Sequence, residues 1–495
     1  MRIFLLALLV FFVGVISLSS CRKDKISDSP DAVLDFSADT VHFDTVFTTI
    51  GSVTKSLKVY NNNDERVRIS EIRLAQGDQS NFRMNVDGIP ADVVNDMEIA
   101  PGDSMWIFVE VTVDPNSLSS PFVIEDAIQF TTNGNEQEVT LVAWGRNAYF
   151  HGGPGQLNVL DCNEVWNADR PHVVYGIVAV DEGCCLTINE GTQVYCHKSS
   201  GLYVYRGCID VNGQFGNEVV FQGDRLDAGY EDLAGQWGID LTFEYEGDFG
   251  IEQATVARGG IWLYESTGSE IDYAVIKNGN IGIQVDTLGS NSTDALRLTN
   301  TKIENMGVIG LLGRGTTIYG NNNLITNCGQ NCAYFGFGGS YQFEYTTFAN
   351  YWTGSNRQTP AVVLSNYYQA TDQSIVVRPL TETFFYNCIV WGNNAGLSDF
   401  SELVVDMVDT GNPDYLFSYC AVDSETSTAD GVHYFSTLNG QTPPFIDASN
   451  GDFHLSSTAS SSWNGGPATT SQTPFLDLDQ VFRVLPGRKG CYEGQ

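Results

Sequence analysis

Between residues 35 and 147 apolar and polar side chains alternate in short runs separated by turn residues. SLKVYNNND, VRISEIRL, MEIAPGDSMWIFVEVTVDP, AIQFTTNG and EVTLVAWG each follow a period of two, and Asn, Gly, Asp or Pro bounds them. That period predicts half-buried strands, so this stretch is expected to fold as a β-sandwich. In MWIFVEVTV the residues from Trp106 and Phe108 onward alternate between the two faces of one such strand.

From about residue 150 the pattern changes. Gly and Asn rise, charges thin out, and short β-rich stretches recur without helical periodicity. YAVIKNGNIGIQV, NTKIENMGVIGLL, NNLITNCGQNCAYF and YTTFANYW align on Ile276, Ile303, Ile325 and Phe348, at steps of 27, 22 and 23 residues. Asn278, Asn305, Asn327 and Asn350 fall in register two positions later. Self-similarity at that period predicts a parallel β-solenoid. Each coil rises by roughly 4.8 Å, so the Ile and Phe positions should stack inward and the Asn should line one corner as a hydrogen-bonded ladder. FFYNCIVWGN continues the pattern after a longer insertion.

Two resemblances sharpen this reading. Val59-Tyr60-Asn61 with Ile99-Ala100-Pro101-Gly102 resembles the immunoglobulin-like domains of the choice-of-anchor type. LTINEGTQVYCHKSSGLYVYRGCIDVNG, followed by NEVVFQGDR and GQWGI, resembles the opening coils of right-handed parallel β-helix repeat lipoproteins. Near the C-terminus, Asp477, Arg483, Gly490, Tyr492 and Glu493 match the closing segment of that group, whereas Gln480 replaces its usual Gly and Cys491 its usual Ala. The implied organisation is a sandwich over 35–147, a right-handed parallel β-helix over 150–440 and a closing segment over 441–495. Such helices serve lyases, hydrolases, adhesins and inert scaffolds, so the resemblance implies fold rather than activity.

The first twenty residues read as a secretory leader: Arg2, then IFLLALLVFFVGVISL, then small residues. LSSC, Leu18 to Cys21, resembles a lipobox, which would make Cys21 the lipidated first residue of the mature chain, palmitate being one of the acyl chains expected. Residues 21–34 form a polar tether, and Asp24 is similar to the signals that carry some lipoproteins to the outer face. The expectation is an outer-membrane, exterior-facing protein held to the membrane by lipid alone.

The chain carries a formal charge of −35, and loss of Arg2 with the leader makes it one unit more negative. That charge opposes nucleic acid, and anionic polysaccharide too unless a local basic groove offsets the field. Ten cysteines remain besides Cys21, an even number that favours pairing in an exported chain. CGQNC, Cys328 to Cys332, lacks zinc or redox spacing and is read as a solenoid corner holding a local disulfide or two packed thiols. The six histidines show no paired spacing, and no catalytic motif appears, so no catalytic residue is assigned.

Two stretches are candidates for binding. GDRLDAGYEDLAGQWG, residues 223–238, holds Asp224, Asp227, Glu231 and Asp232, whose oxygens would suit calcium; a solvated acidic insertion is the preferred alternative. ANYWTGSNRQTPAVVLSNYYQ offers Tyr351, Trp352, Tyr367 and Tyr368 as stacking surfaces, core packing being equally open to them. The functional expectation is a non-catalytic binding or scaffold component, engaging outer-membrane proteins or neutral glycans. The alternative is a calcium-dependent polysaccharide lyase or glycoside hydrolase, which would require Arg or Lys to converge with carboxylates in one groove.

Overall fold

The computed structural model describes residues 25–493 apart from 49–50, 114–121, 228, 248–249, 288–293, 371, 395–399, 409–413, 426–427, 430, 468–474 and 485. Cys21 and the leader lie outside the described residues. The chain divides into two compact units, Met1–Asn147 and Ala148–Gln495.

The first unit is a sandwich of two five-stranded sheets. Asp35–Phe36, Lys55–Tyr60, Ser104–Val111, Phe82–Val86 and Ile89–Pro90 form one; Thr40–Phe47, Asn135–Arg146, Phe122–Thr132, Val67–Leu74 and Val93–Ile99 form the other. Alternation decides which side chains meet between them. Leu57, Val59, Ile107 and Val109 of the first sheet share a core with Ile69, Ile72, Ile128 and Phe130 of the second. Trp106 and Phe108 take the outward positions and stack on each other at 6.4 Å. Asn61 is fully buried, and its amide donates to the carbonyls of Glu65, Ile99 and Ala100. Gly102 N–H in turn donates to Asn61 O at 2.9 Å. The two halves of the sequence signature thus bond to each other, tying the end of a strand in one sheet to the end of a strand in the other.

The second unit is a parallel β-helix, one continuous ladder of parallel pairings with three strands to a typical coil. The first face includes Gly201–Tyr205, Ile261–Tyr264, Ile281–Asp286, the first halves of Ile309–Asn321 and Asn331–Glu344, and Val362–Ser365. The second face runs from Cys185–Asn189 through Ser269–Asp272 and Leu296–Thr299 to Tyr415–Ser418. The third runs from Gln193–Cys196 through Lys302–Met306 and Leu324–Cys328 to Ala421–Val422.

Inward positions of the third face stack in register as Val194, Phe221, Ile276, Ile303, Ile325, Phe348, Val390 and Val422, all fully buried. No single coil could bury that apolar column; its neighbours do. The Asn corner is shorter than the sequence register suggests. Asn278, Asn305 and Asn327 have φ of 65°, 54° and 53°, and Asn305 Nδ2 donates to Asn278 Oδ1 at 2.8 Å. The ladder stops there. Asn327 Oδ1 is buried without a partner, and Asn350 ends its strand and binds backbone instead, accepting from Cys328 N–H and donating to Gln330 O. The chain leaves that corner into residues 351–361 and so needs no left-handed turn at Asn350. A second ladder forms at another corner, where Asn300 donates to Asp272, Asn322 to Asn300, and Arg483 to Asn322.

Two disulfides, Cys162–Cys184 and Cys185–Cys208, staple the opening coils. Cys328 and Cys332 are packed thiols in the core, as are Cys196, Cys388 and Cys420. Burial pushes the Cys332 thiol well above its usual range, which leaves it protonated and inert. Described residues of the C-terminal segment lie along the third face. Leu324, Ala349, Ile389, Trp391 and Ala421, all beside its inward column, are buried under Phe445, Phe453, Leu455, Trp463 and Tyr492. Arg483 anchors this segment, donating to Asn322 Oδ1 and Cys491 O, and Gly490, at φ 85°, sits so close to Thr347 Oγ1 that a Cβ would clash.

Candidate functional site

The four carboxylates considered as calcium ligands, with a solvated insertion the preferred reading, form no cluster of three among the described residues. Asp224 Oδ2 bonds His197 Nδ1 at 2.7 Å. Asp227 is paired with Arg225, whose guanidinium also lies 3.2 Å from the centre of the Tyr230 ring. Glu231 and Asp232 are exposed, and their backbone carbonyls accept from Asn278 and Asn305. Two carboxylates are thus claimed by basic neighbours, and the loop is fastened to the Asn corner through its backbone. Among the described residues no three His, Cys, Asp or Glu side chains gather to hold a metal ion.

The four aromatics of the insertion also part company. Tyr351 packs under the C-terminal segment against Phe445 and Phe453, and burial raises its hydroxyl pKa to about 12. Trp352 donates its indole N–H to Ser355 on the same loop. Tyr367 and Tyr368 instead reach the first face: Tyr367 OH donates to Asp406 at 2.6 Å, and the Tyr368 ring lies 4.8 Å from that of Phe337.

The first face carries a set of outward aromatics that the sequence reading passed over. Leu202, Val204, Ile261 and Leu263 point inward and are fully buried, which turns Tyr203, Tyr205, Trp262 and Tyr264 outward and half-buried. Tyr203 pairs in register with Trp262, and Tyr205 with Tyr264. Their rings form one connected surface, with centroids 4.7 Å apart for Tyr203 and Trp262 and 6.1 Å for Tyr205 and Tyr264. One coil further on, Asp286 pairs with Tyr264 and Arg314 pairs with Asp286.

Asp286 is held by four donors: Trp262 Nε1 at 2.8 Å, Gln284 Nε2 at 2.6 Å, and Arg314 through Nε at 2.6 Å and Nη2 at 2.5 Å. With both oxygens occupied it serves as an anchor for the indole and the guanidinium. The corner beyond it opens into adjoining clefts of about 280 and 510 Å³. Gly315, Phe337 and Arg378 line both, Tyr264 and Arg314 the smaller, Glu382 the larger. Phe337 holds φ at 65°, a left-handed conformation uncommon for an aromatic residue, and this turn brings its ring to the cleft wall beneath Arg314.

Three guanidiniums meet aromatics on this face: Arg206 over Tyr205, Arg258 over Trp262 and Arg314 over Phe337. Arg258 lies over Trp262, and burial lowers its pKa with a further contribution from nearby Arg314. The sequence criterion of basic groups converging with a carboxylate in one groove is met here and not at the 223–238 loop.

No family profile matches the sequence, and no curated protein does. Among solved structures, the chain is similar to XylC in complex with xylose, at 9% identity and a TM-score of 0.35, over 91% of this chain and 87% of that one. The catalytic unit of a GH87 α-1,3-glucanase from Streptomyces thermodiastaticus is similar at 10% identity and a TM-score of 0.22, over 77% and 66%. A family 123 glycoside hydrolase from Clostridium perfringens is matched at 9% identity and a TM-score of 0.17, over 25% of this chain, which spans 31% of the hydrolase's length. Likenesses this slight carry no function across.

Proposed function

We propose that this protein is a lipid-anchored, exterior-facing, non-catalytic glycan-binding component of the outer membrane, with the first face of the β-helix as its binding platform. The observation that carries the reading is the register of Tyr203 on Trp262 and Tyr205 on Tyr264. These rings are held rigidly on strands, are half-buried, and present flat apolar area to solvent. Flat rings with polar groups at their edges suit the alternating apolar and hydroxyl faces of a sugar chain. Anchoring rests on the LSSC motif, and exterior display on Asp24 following it. The test is binding of the purified protein, kept in detergent, to a panel of bacterial and plant polysaccharides by affinity electrophoresis. Retardation that is lost in Trp262→Ala supports the platform; retardation unchanged in that variant contradicts it.

The enzymatic alternative rests on Arg314, Asp286 and Glu382 meeting around the adjoining clefts. Asp286, with four donors on its oxygens, is poorly placed to exchange a proton with substrate. Prolonged incubation with any retarded polysaccharide should release no reducing ends and no unsaturated uronide absorbance. Release that stops in Asp286→Asn would replace the binding reading with the enzymatic one.

A further inference from the structure

The cleft at the end of the aromatic row has a chemistry of its own. The chain as a whole carries −35, yet Arg314 and Arg378 both line the smaller cleft. The carboxylate there, Asp286, is already saturated by its own donors. Arg378 is exposed and makes no side-chain hydrogen bond or ion pair among the described residues. Arg258, beside Trp262, has its Nε buried without a partner. Two arginines thus face one already occupied carboxylate in the smaller cleft, and Glu382 lines only the larger one adjoining it. The overall charge acts at long range, where salt screens it over about 8 to 10 Å, whereas a ligand seated in the cleft meets the guanidiniums at contact.

Apolar walls complete the arrangement. Phe337 and Tyr368, whose rings lie 4.8 Å apart, line it together with Tyr264. A planar anionic group entering the cleft would find the forked donors of Arg378, while the ring that bears it lies against aromatic carbon.

Resting on the reading of this face as a glycan platform, we infer that the cleft is a charge-reading subsite that takes the carboxylate of a uronic acid residue. The adjoining sugars of the same chain then lie along Tyr264 and Trp262. The protein selects acidic polysaccharides at this point in spite of its net charge.

The experiment uses matched probes. Polygalacturonate, polymannuronate and hyaluronan are each compared with the same polymer after reduction of its carboxyls to alcohols, and dextran sulfate serves as a sulfated control. Calorimetry is run on the wild-type chain, Arg378→Gln and Trp262→Ala. At least one uronate polymer should bind about tenfold more tightly than its reduced form, the worth of a charge-assisted hydrogen-bond pair. Arg378→Gln, an exposed change that the fold tolerates, should cut that preference to under about threefold, weakening the uronate form more than the reduced one. Trp262→Ala should weaken both forms. Equal binding of acidic and reduced polymers overturns the subsite and spares the platform. So does a preference that survives Arg378→Gln, or sulfated dextran binding as tightly as the uronate. Absence of binding to every form overturns platform and subsite together.

Discussion

The first and third faces of the β-helix are built from the same coils, yet their outward sides meet different fates. On the third, Ala349, Ile389, Trp391 and Ala421 are covered by the chain's own C-terminal segment, through Phe445, Phe453, Leu455 and Trp463. On the first, Tyr203, Tyr205, Trp262 and Tyr264 remain half-buried, leaning on one another and on arginines. Inward positions on both faces obey one requirement, to fill the helix with Ile, Val, Leu and Phe. Outward positions are free to differ. Where they are apolar and covered they support the fold; where they are aromatic and uncovered they are available to a ligand.

That contrast breaks most visibly on the covered side. Trp463→Ala strips an almost fully buried indole from the cover over Trp391 and Ile389, and should cost about 3–5 kcal/mol in denaturant unfolding. Glycan affinity should stay within about twofold of wild type, which the same electrophoretic assay checks.

Acid should attack the third face's inward column next. His172 pairs in register with Val194 at the head of that column, and its Nδ1 is 2.9 Å from His151 Nε2. Burial lowers both imidazole pKa values to about 4, with the neighbouring imidazole adding to the effect at His172. Because the unfolded chain would titrate near 6.5, it binds more protons than the folded one between those values. Stability from this pair is therefore complete above about pH 6.5 and lost as pH falls toward 4, by an amount on the order of 3 kcal/mol for each imidazole. Unfolding free energies measured from pH 7 to 4 should show that slope, and His172→Phe should roughly halve it, leaving the part that buried His151 contributes.

The two corners give smaller, opposite effects. Asn322→Ala removes the acceptor of Arg483 and a residue suited to its φ of 57°, so about 2–3 kcal/mol should be lost. Asn327→Gly removes a buried oxygen that has no partner from a turn at φ 53°, and unfolding should shift by no more than about 0.5 kcal/mol, toward greater stability.

How much of this was legible follows from where the period survives. Ile276, Ile303, Ile325 and Phe348 could be aligned because short, nearly equal turns separate them, and the same spacing put them in one column. Tyr203 and Trp262 occupy equivalent positions 59 residues apart, because the hairpin of Asp240–Gly247 and Gly250–Ala257 intervenes. A period search cannot bridge that gap, although alternating aromatics in YVYR and WLYE were the available signal. Arg378 reaches the cleft after a second hairpin, Tyr367–Gln369 with Ile375–Val377, which no repeat announces. The partners of the acidic loop were hidden for a related reason. Counting carboxylates along 223–238 ignores His197 and Arg225, which claim two of them.

Hydroxyl-radical footprinting read by mass spectrometry, with and without the polysaccharide that binds best, tests the account most directly. Tyr203, Trp262 and Tyr264 should be protected from oxidation several-fold on binding, while exposed Trp106 of the sandwich and covered Trp463 of the C-terminal segment keep their rates. Protection that falls on Trp106, with the first-face rings oxidised as before, would contradict it.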